Sequence, residues 1–283
     1  MNGSIINNDI MNKYISSKST LIVDSYTKLK YLENINYKIQ IGIRINLDYI
    51  KQNKEIFREK NSRFGIDINN FNFNNILKNK NIKITCLHAH LSQNTKDPDI
   101  YYSIADELCK IIKNNKLHNI KYIDIGGGYK IHSNFWKFSD YVKSTLKALK
   151  DNDMKNIKLI YEPGNSMVRN AVSYHITIID KKIINGITYL ITDGTKHHIE
   201  LLIKSDFLKY KIIYYNKYKA NKYTENPIQI IAGCTCKASD IFIKLNNHRE
   251  LNINDSIIFY DAGAYIINRI PNFLIEKPNI YYL

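Results

Sequence analysis

KYIDIGGG, residues Lys121–Gly128, runs a short apolar segment (Tyr122, Ile123, Ile125) into three consecutive glycines, Gly126, Gly127 and Gly128. A strand that stops in glycine can turn sharply, and backbone without side chains can aim several N–H groups at one anion, above all a phosphate. A plain structural turn would use the same residues. The surrounding chain has to choose between the two.

Upstream, Thr20–Val23 reads as a buried strand and Tyr26–Asn34 as a helix. Ile39–Ile45 is almost wholly apolar, as a strand covered on both faces should be, and carries Arg44 near its end. Ile82–Leu91 is a third strand and Asp99–Asn114 an amphipathic helix. Downstream, Phe138–Lys150 is a helix, and the strand Ile157–Tyr161 ends in Glu162-Pro163-Gly164. Strand and helix alternate, which means parallel strands joined by helical crossovers. Arg44, His90, Gly126 and Glu162 recur at strand ends, spaced as in an eight-fold α/β barrel of roughly 250 residues. Too few strands precede residue 165 to close one, so either the architecture is open or the front of the barrel is absent. From residue 166 to 283 the texture changes to short strands rich in Ile, Tyr and Thr: Val172–Asp180, Gly186–Thr192, Tyr210–Tyr215, Ile228–Ile231 and Ser256–Tyr260. This reads as a second, all-β domain. The Asn/Lys-rich stretches 66–81 and 216–226 read as exposed loops.

The 283 residues carry a net charge of +15. The lysines are spread among Asn, Ile and Tyr along the whole chain rather than gathered beside aromatic residues. A solvated basic surface fits that spread, and no nucleic-acid partner is expected. No apolar run spans a bilayer, and MNGSIINNDI lacks the layout of a secretory signal, so the expected compartment is cytoplasmic, with no membrane partner. The four cysteines agree. Cys234 and Cys236 stand as C-x-C without a second Cys or His pair nearby, so no metal is expected.

Taken in order, IGIRIN (41–46), SRFGI (62–66), LHAHLSQ (87–93), IDIGGGY (123–129), YEPG (161–164), GCTCKASD (233–240) and GAY (263–265) resemble the motifs of the fold-type III pyridoxal-phosphate decarboxylases, the family of ornithine, arginine and diaminopimelate decarboxylases. The resemblance implies an alanine-racemase-like (β/α)8 barrel over 1–165, partial in this chain, and a C-terminal β-sandwich or barrel over 166–283. It also implies pyridoxal 5'-phosphate as cofactor, a small amino acid as substrate, and a homodimer with shared active sites. On this resemblance Gly126, Gly127 and Gly128 offer N–H groups to the cofactor phosphate. Glu162 pairs with the pyridine nitrogen, where a carboxylate keeps the ring protonated as an electron sink. His90 stacks on the ring, against the alternative of a core histidine bonded to a carbonyl, and His88 receives no role. Tyr265 reaches the phosphate; otherwise it is one of 22 tyrosines packing the chain. Cys236, supplied by the partner subunit, helps reprotonate the substrate carbon, its thiol being an acid of pKa about 8.5 when unperturbed. A buried structural cysteine is the competing reading. Arg63 and Asp240 are expected to pair across the dimer interface.

The departures from the pattern are as informative. The lysine that binds the cofactor covalently in this family falls before the segment resembling MNGSIINNDI, so the chain is expected to be an N-terminally truncated piece, half of a split enzyme, or a degenerate relative. Asn165 replaces the arginine of E-P-G-R, removing a charge-assisted contact of about 1.5–3 kcal/mol. Ser92 and Gln93 alter the loop after His90. Lys237 replaces an acid that holds a distal amino group, and a cation there favours a carboxylate- or phosphate-bearing substrate. DGTKHH (193–198) and FLIEKP (273–278) resemble relatives from specialised-metabolite and siderophore pathways, some of which act on carrier-bound amino acids. A racemase is disfavoured, since racemases of that fold place an arginine where Glu162 stands. The alternative function is a catalytically inactive homologue that dimerises with, or regulates, an active decarboxylase.

Overall fold

The computed structural model describes residues 8–17, 19–47, 50–52, 55–57, 62–90, 97–129, 136–203, 208–216, 226–271 and 274–282. The chain divides into two compact units, Met1–Ser166 and Met167–Leu283; the sequence pattern changes at 165/166.

The first unit is α/β. Its strands are β1 (Leu21–Val23), β2 (Ile39–Asn46), β3 (Ile50–Gln52), β4 (Glu55–Phe57), β5 (Ile66–Asp67), β6 (Ile82–His88), β7 (Tyr122–Asp124) and β8 (Lys158–Ile160). The main sheet runs β1-β2-β6-β7-β8, every neighbour parallel, with β5 paired to β2 and β3–β4 a separate hairpin. β2 and β6 bury residues on both faces, as strands covered by crossover helices must. The helices are α1 (Asn8–Ser16), α2 (Tyr26–Glu33), α3 (Phe73–Leu77), α4 (Pro98–Asn114), α5 (Phe138–Asp151) and α6 (Asn165–Val168).

Local chemistry sets their ends. The Ser25 side chain accepts the Lys28 N–H to cap α2, and Asp97 caps α4 with Pro98 in the first turn, where its missing N–H costs nothing. α4 then buries Ile100, Tyr101, Ile104, Ala105, Leu108, Cys109, Ile111 and Ile112, one stripe at helical spacing that lies in the core with Tyr141, Ala148 and Leu149 of α5.

Two expectations need correction here. The third strand stops at His88 rather than Leu91, which places His90 in the loop beyond it. Stretch 66–81 is not an exposed loop: it forms β5, a 3-10 turn and α3, and buries Ile66, Phe71, Phe73 and Ile76. Its asparagines act as caps, Asn72 accepting the Asn74 N–H, while the apolar residues between them point inward. The other stretch lies largely outside the described residues.

The second unit contains α7 (Glu200–Ile203) and one six-stranded sheet of β9 (Tyr174–Ile184), β10 (Ile187–Thr192), β11 (Tyr210–Ile213), β12 (Ile228–Ala232), β13 (Ile241–Asn246) and β14 (Ser256–Phe259). Its order is β11-β14-β9-β10-β12-β13, antiparallel except for β10–β12. The β9–β10 hairpin turns on Asn185 (φ +51°) and Gly186 (φ +75°), a pair suited to left-handed backbone. Strand β13 had no counterpart among the expected strands. Among the described residues no helix is long and apolar enough to cross a membrane.

Candidate functional site

Parallel pairing places Arg44 of β2 beside His88 of β6, and His88 beside Asp124 of β7. Paired residues share a face, so these side chains form a row across the C-terminal ends of the strands. Ile160 of β8 is next in register, and Glu162, two residues on, returns to the same face. The row is sealed at its base: Arg44, His88 and Asp124 are buried, whereas the Glu162 side chain is 41% exposed. His88 Nε2 stands 3.9 Å from Glu162 Oε2, and one donor atom from each of His88, Asp124 and Glu162 lies within 4.8 Å of the others. An imidazole and two carboxylates would also suit a divalent cation; the sequence reading had expected no metal.

The electrostatics follow from burial. Desolvation, then the neighbouring Arg44 charge, pushes the His88 imidazole down to about 2, so it is neutral. Desolvation, then the Glu162 charge, pushes the Asp124 carboxyl up to about 7, against a favourable bond from the Gly126 N–H.

The glycine loop is pinned at the N–H and the carbonyl of both Gly126 and Gly127. Gly126 N donates to Asp124 Oδ1 (2.9 Å) and Gly127 N to His90 Nδ1 (3.0 Å). Gly126 O accepts from Glu162 N (2.8 Å) and the Tyr129 hydroxyl (2.6 Å), and Gly127 O from the Tyr101 hydroxyl (2.9 Å). The expectation that all three glycines present N–H groups outward is therefore corrected. The N–H groups of Gly126 and Gly127 face inward, because a buried carboxyl and an imidazole claim them. The outward glycine is Gly128, exposed at φ +93°. Absence of side chains serves close packing here: a Cβ on Gly127 would stand 2.3 Å from the Glu162 carbonyl oxygen, and one on Gly126 would meet the His90 ring.

His90 accepts from a backbone donor at Nδ1, so that nitrogen carries a lone pair and the neutral ring holds its proton on Nε2. Beneath the loop, Tyr101, Tyr129, Phe138, Tyr141 and Tyr161 pack edge to face. The structure thus brings together His90, Gly126, Gly127 and Glu162. It adds Asp124, His88, Tyr101 and Tyr129, to which the sequence reading gave no role. The signal was present for Asp124, two residues before Gly126, where strand alternation faces it into the same row as His88. Nothing in the sequence ties Tyr101 to the glycines.

The remaining expected residues fall elsewhere. Arg63 is exposed, its guanidinium 4.8 Å from the Phe64 ring centre; Arg44 contacts the same ring at 4.7 Å. Cys236 and Lys237 are exposed on a loop of the second unit, so Cys236 is not the buried structural cysteine of the competing reading. Tyr265 is also exposed, with left-handed backbone. Asp240 is 2% exposed, and its carboxylate takes four hydrogen bonds from its own unit. Thr195 Oγ1 (2.8 Å), Thr235 Oγ1 (2.6 Å), Lys196 N (2.9 Å) and Thr235 N (3.3 Å) all donate to it. The sequence reading made Asp240 an interface residue and missed this internal role. Ser92 and Gln93 lie outside the described residues.

Residues 2–169 match the family model described as pyridoxal-dependent decarboxylase, pyridoxal binding domain. The chain belongs to the pyridoxal-dependent decarboxylases. It is 24% identical over 279 residues to a probable ornithine decarboxylase of Dictyostelium discoideum, covering 92% of this chain and 58% of that protein. It is 25% identical over 264 residues to a diaminopimelate decarboxylase of Helicobacter pylori, covering 87% and 62%. The chain therefore spans less than two thirds of those relatives. Among solved structures, diaminopimelate decarboxylase from M. jannaschii superposes with a TM-score of 0.77 at 18% identity, over 94% of this chain and 64% of that one. The arginine decarboxylase of Paramecium bursaria Chlorella virus, bound to agmatine, gives 0.67 at 17%, over 89% and 68%. A decarboxylase of this family uses pyridoxal phosphate, and the row suits its ring: one half-exposed carboxylate, backed by the neutral His88 and the raised Asp124 carboxyl, faces outward beside a fixed imidazole. Gly128, expected beside the phosphate, and Asn165, which replaces the family's arginine there, are both exposed.

Proposed function

We propose that the whole protein to which this chain belongs decarboxylates a small amino acid with pyridoxal phosphate, at the C-terminal ends of β6, β7 and β8. One observation carries the reading: Glu162 holds the only half-exposed carboxylate of the His88–Asp124–Glu162 cluster, at the rim of a glycine loop whose shape fixes its backbone. When bound, the cofactor supplies an electron sink for the charge left as carbon dioxide departs. Glu162 would accept the hydrogen bond of the ring N–H. His90, fixed by Gly127, offers its flat face to the ring. Cys236 returns the proton to the substrate carbon, and Tyr265 serves the phosphate. Lys237 draws a substrate whose far end is a carboxylate, free or carried by a carrier protein. In the finer reading the sheet is part of an eight-stranded barrel and the second unit a β-sandwich. The protein is then a cytoplasmic homodimer in which Cys236 crosses to the partner's site.

The test is equilibrium binding of pyridoxal phosphate to the purified chain, read by its visible absorbance after dialysis, with carbon dioxide release assayed on diaminopimelate, ornithine and arginine. Wild type should retain cofactor, and Glu162→Gln should bind it at least about tenfold more weakly, a difference of about 1.4 kcal/mol. Equal retention by both would remove Glu162 from the ring. No retention, together with stable association with an active decarboxylase, would establish the inactive homologue instead.

A further inference from the structure

Asp124 plays no part in the proposed chemistry, yet it touches both halves of the site. Its Oδ1 takes the Gly126 N–H that a phosphate nest would need, and one of its carboxyl oxygens lies within 4.8 Å of one of Glu162. Two carboxyl groups so close, one sealed and one half-open to solvent, do not ionise together without cost. Among the described residues, the groups facing Asp124 supply no cation to offset a second charge. On β6, Cys86 is pushed up to about 12 by burial and stays a thiol, and His88 is neutral. Beyond the loop, burial raises the Tyr129 phenol, which stays protonated. Arg44, on β2, lies on the far side of His88 in the strand register.

We propose that Asp124 and Glu162 form a carboxyl pair that shares one proton: Asp124 holds the proton and donates it toward Glu162, which keeps the charge, and a cation arriving at Glu162 releases the proton from Asp124. Asp124 is then a positioning residue, acting through Glu162. The second half deepens the cofactor reading and rests on it; the first half stands on the protein alone. The step balances simply. The Asp124 O–H bond breaks, its electron pair stays on the carboxylate, and the proton leaves to solvent. The positive charge of a protonated ring nitrogen at Glu162 stabilises the second negative charge.

Two measurements test the two halves apart. Infrared spectra of the chain without cofactor should show the carbonyl stretch of a protonated carboxyl group persisting well above the pH at which ordinary carboxyls ionise, about 4. That band should be lost in Asp124→Asn. In Glu162→Gln its titration should fall by about one unit or more, because a neighbouring like charge is gone. A band unchanged in Asp124→Asn overturns the pair. Calorimetric titration with pyridoxal phosphate in buffers of differing ionisation enthalpy then counts protons. Near pH 6.5, wild type should release more protons than Asp124→Asn, and equal counts overturn the release. If wild type binds no pyridoxal phosphate, the cofactor reading and the release fall together, while the infrared result still decides the pair.

Discussion

Asp124 in the first unit and Asp240 in the second are equally sealed from water, each 2% exposed, yet their carboxyl groups move in opposite directions. Burial raises both. At Asp240 it is outweighed by the Thr235 and Thr195 hydroxyls and the Lys196 and Thr235 N–H groups, which hold the carboxyl below its usual range. Asp124 has one N–H, from Gly126, and a competing carboxylate, and so rises to about 7. Burial sets the penalty, but the supply of donors decides its outcome. The second unit has used its carboxylate to lock a loop. The first has left one short of donors beside the site.

Removing the well-supplied carboxylate should do the most damage. Asp240→Ala strands the Thr195 and Thr235 hydroxyls and two N–H groups, and loosens the turn from Gly233 to Asp240 that carries Cys236. The expected loss is about 3–5 kcal/mol, read from a denaturant midpoint. The sign with pH follows from the lowered carboxyl: its stabilisation is complete above the unfolded value of about 3.9 and is lost as pH falls through the folded value. The wild-type chain should therefore lose an acid-side increment of stability that the variant never had.

The short-supplied carboxylate should behave in the opposite way. Because Asp124 binds its proton more tightly folded than unfolded, its contribution is full below about pH 4, declines as pH rises, and is gone above about pH 7. Asp124→Asn keeps an acceptor for Gly126 without the charge. At pH 8 it should be more stable than wild type by about 2–4 kcal/mol, and near pH 4 the two should coincide. Thermal melts at both pH values decide this, and a variant destabilised at pH 8 would end the contrast between the two residues.

A pair of glycines repeats the lesson in steric terms. Gly127→Ala drives a Cβ into the Glu162 carbonyl oxygen and should cost about 1–3 kcal/mol, with weaker cofactor retention. Gly186, at φ +75° with open space around it, should cost about 1–2 kcal/mol as alanine through backbone strain alone, leaving retention unchanged.

Much of this architecture was legible beforehand where one element satisfied itself locally. The alternation of strands and helices from Leu21 to Asp151 could be read from apolar periodicity, while the caps Ser25 and Asp97 and the first-turn Pro98 emerged only in the structure. Strand β13 was not legible, because its buried residues Phe242 and Leu245 are three apart: the register of β12 and β13 shifts at Ile231/Ala232, and strict alternation is broken. The same limit applied at the site. Which residues cluster could be read from strand ends, but where the Gly127 N–H and carbonyl point depends on the His90 imidazole and the Tyr101 hydroxyl, both from separate segments. Asp240 carried only the interface role that the resemblance implies, because two of its donors, Thr195 Oγ1 and Lys196 N, lie on another loop and only Thr235 is local.

The smallest effect offers the finest test of what surroundings do to one kind of group. Phe64 meets two guanidinium groups at almost equal range, Arg44 at 4.7 Å and Arg63 at 4.8 Å. Arg44 is buried and Arg63 exposed, so water competes for only one of them. Double-mutant cycles with Phe64→Leu and each arginine changed to Met should give about 0.5–1 kcal/mol of coupling for Arg63 and about 2 kcal/mol for Arg44. Raising salt should weaken the Arg63 coupling and spare the other, because screening acts on charges that solvent reaches. Equal couplings at low and high salt would mean that the ring, rather than exposure, sets the strength, and the rule drawn from Asp124 and Asp240 would not extend to cations.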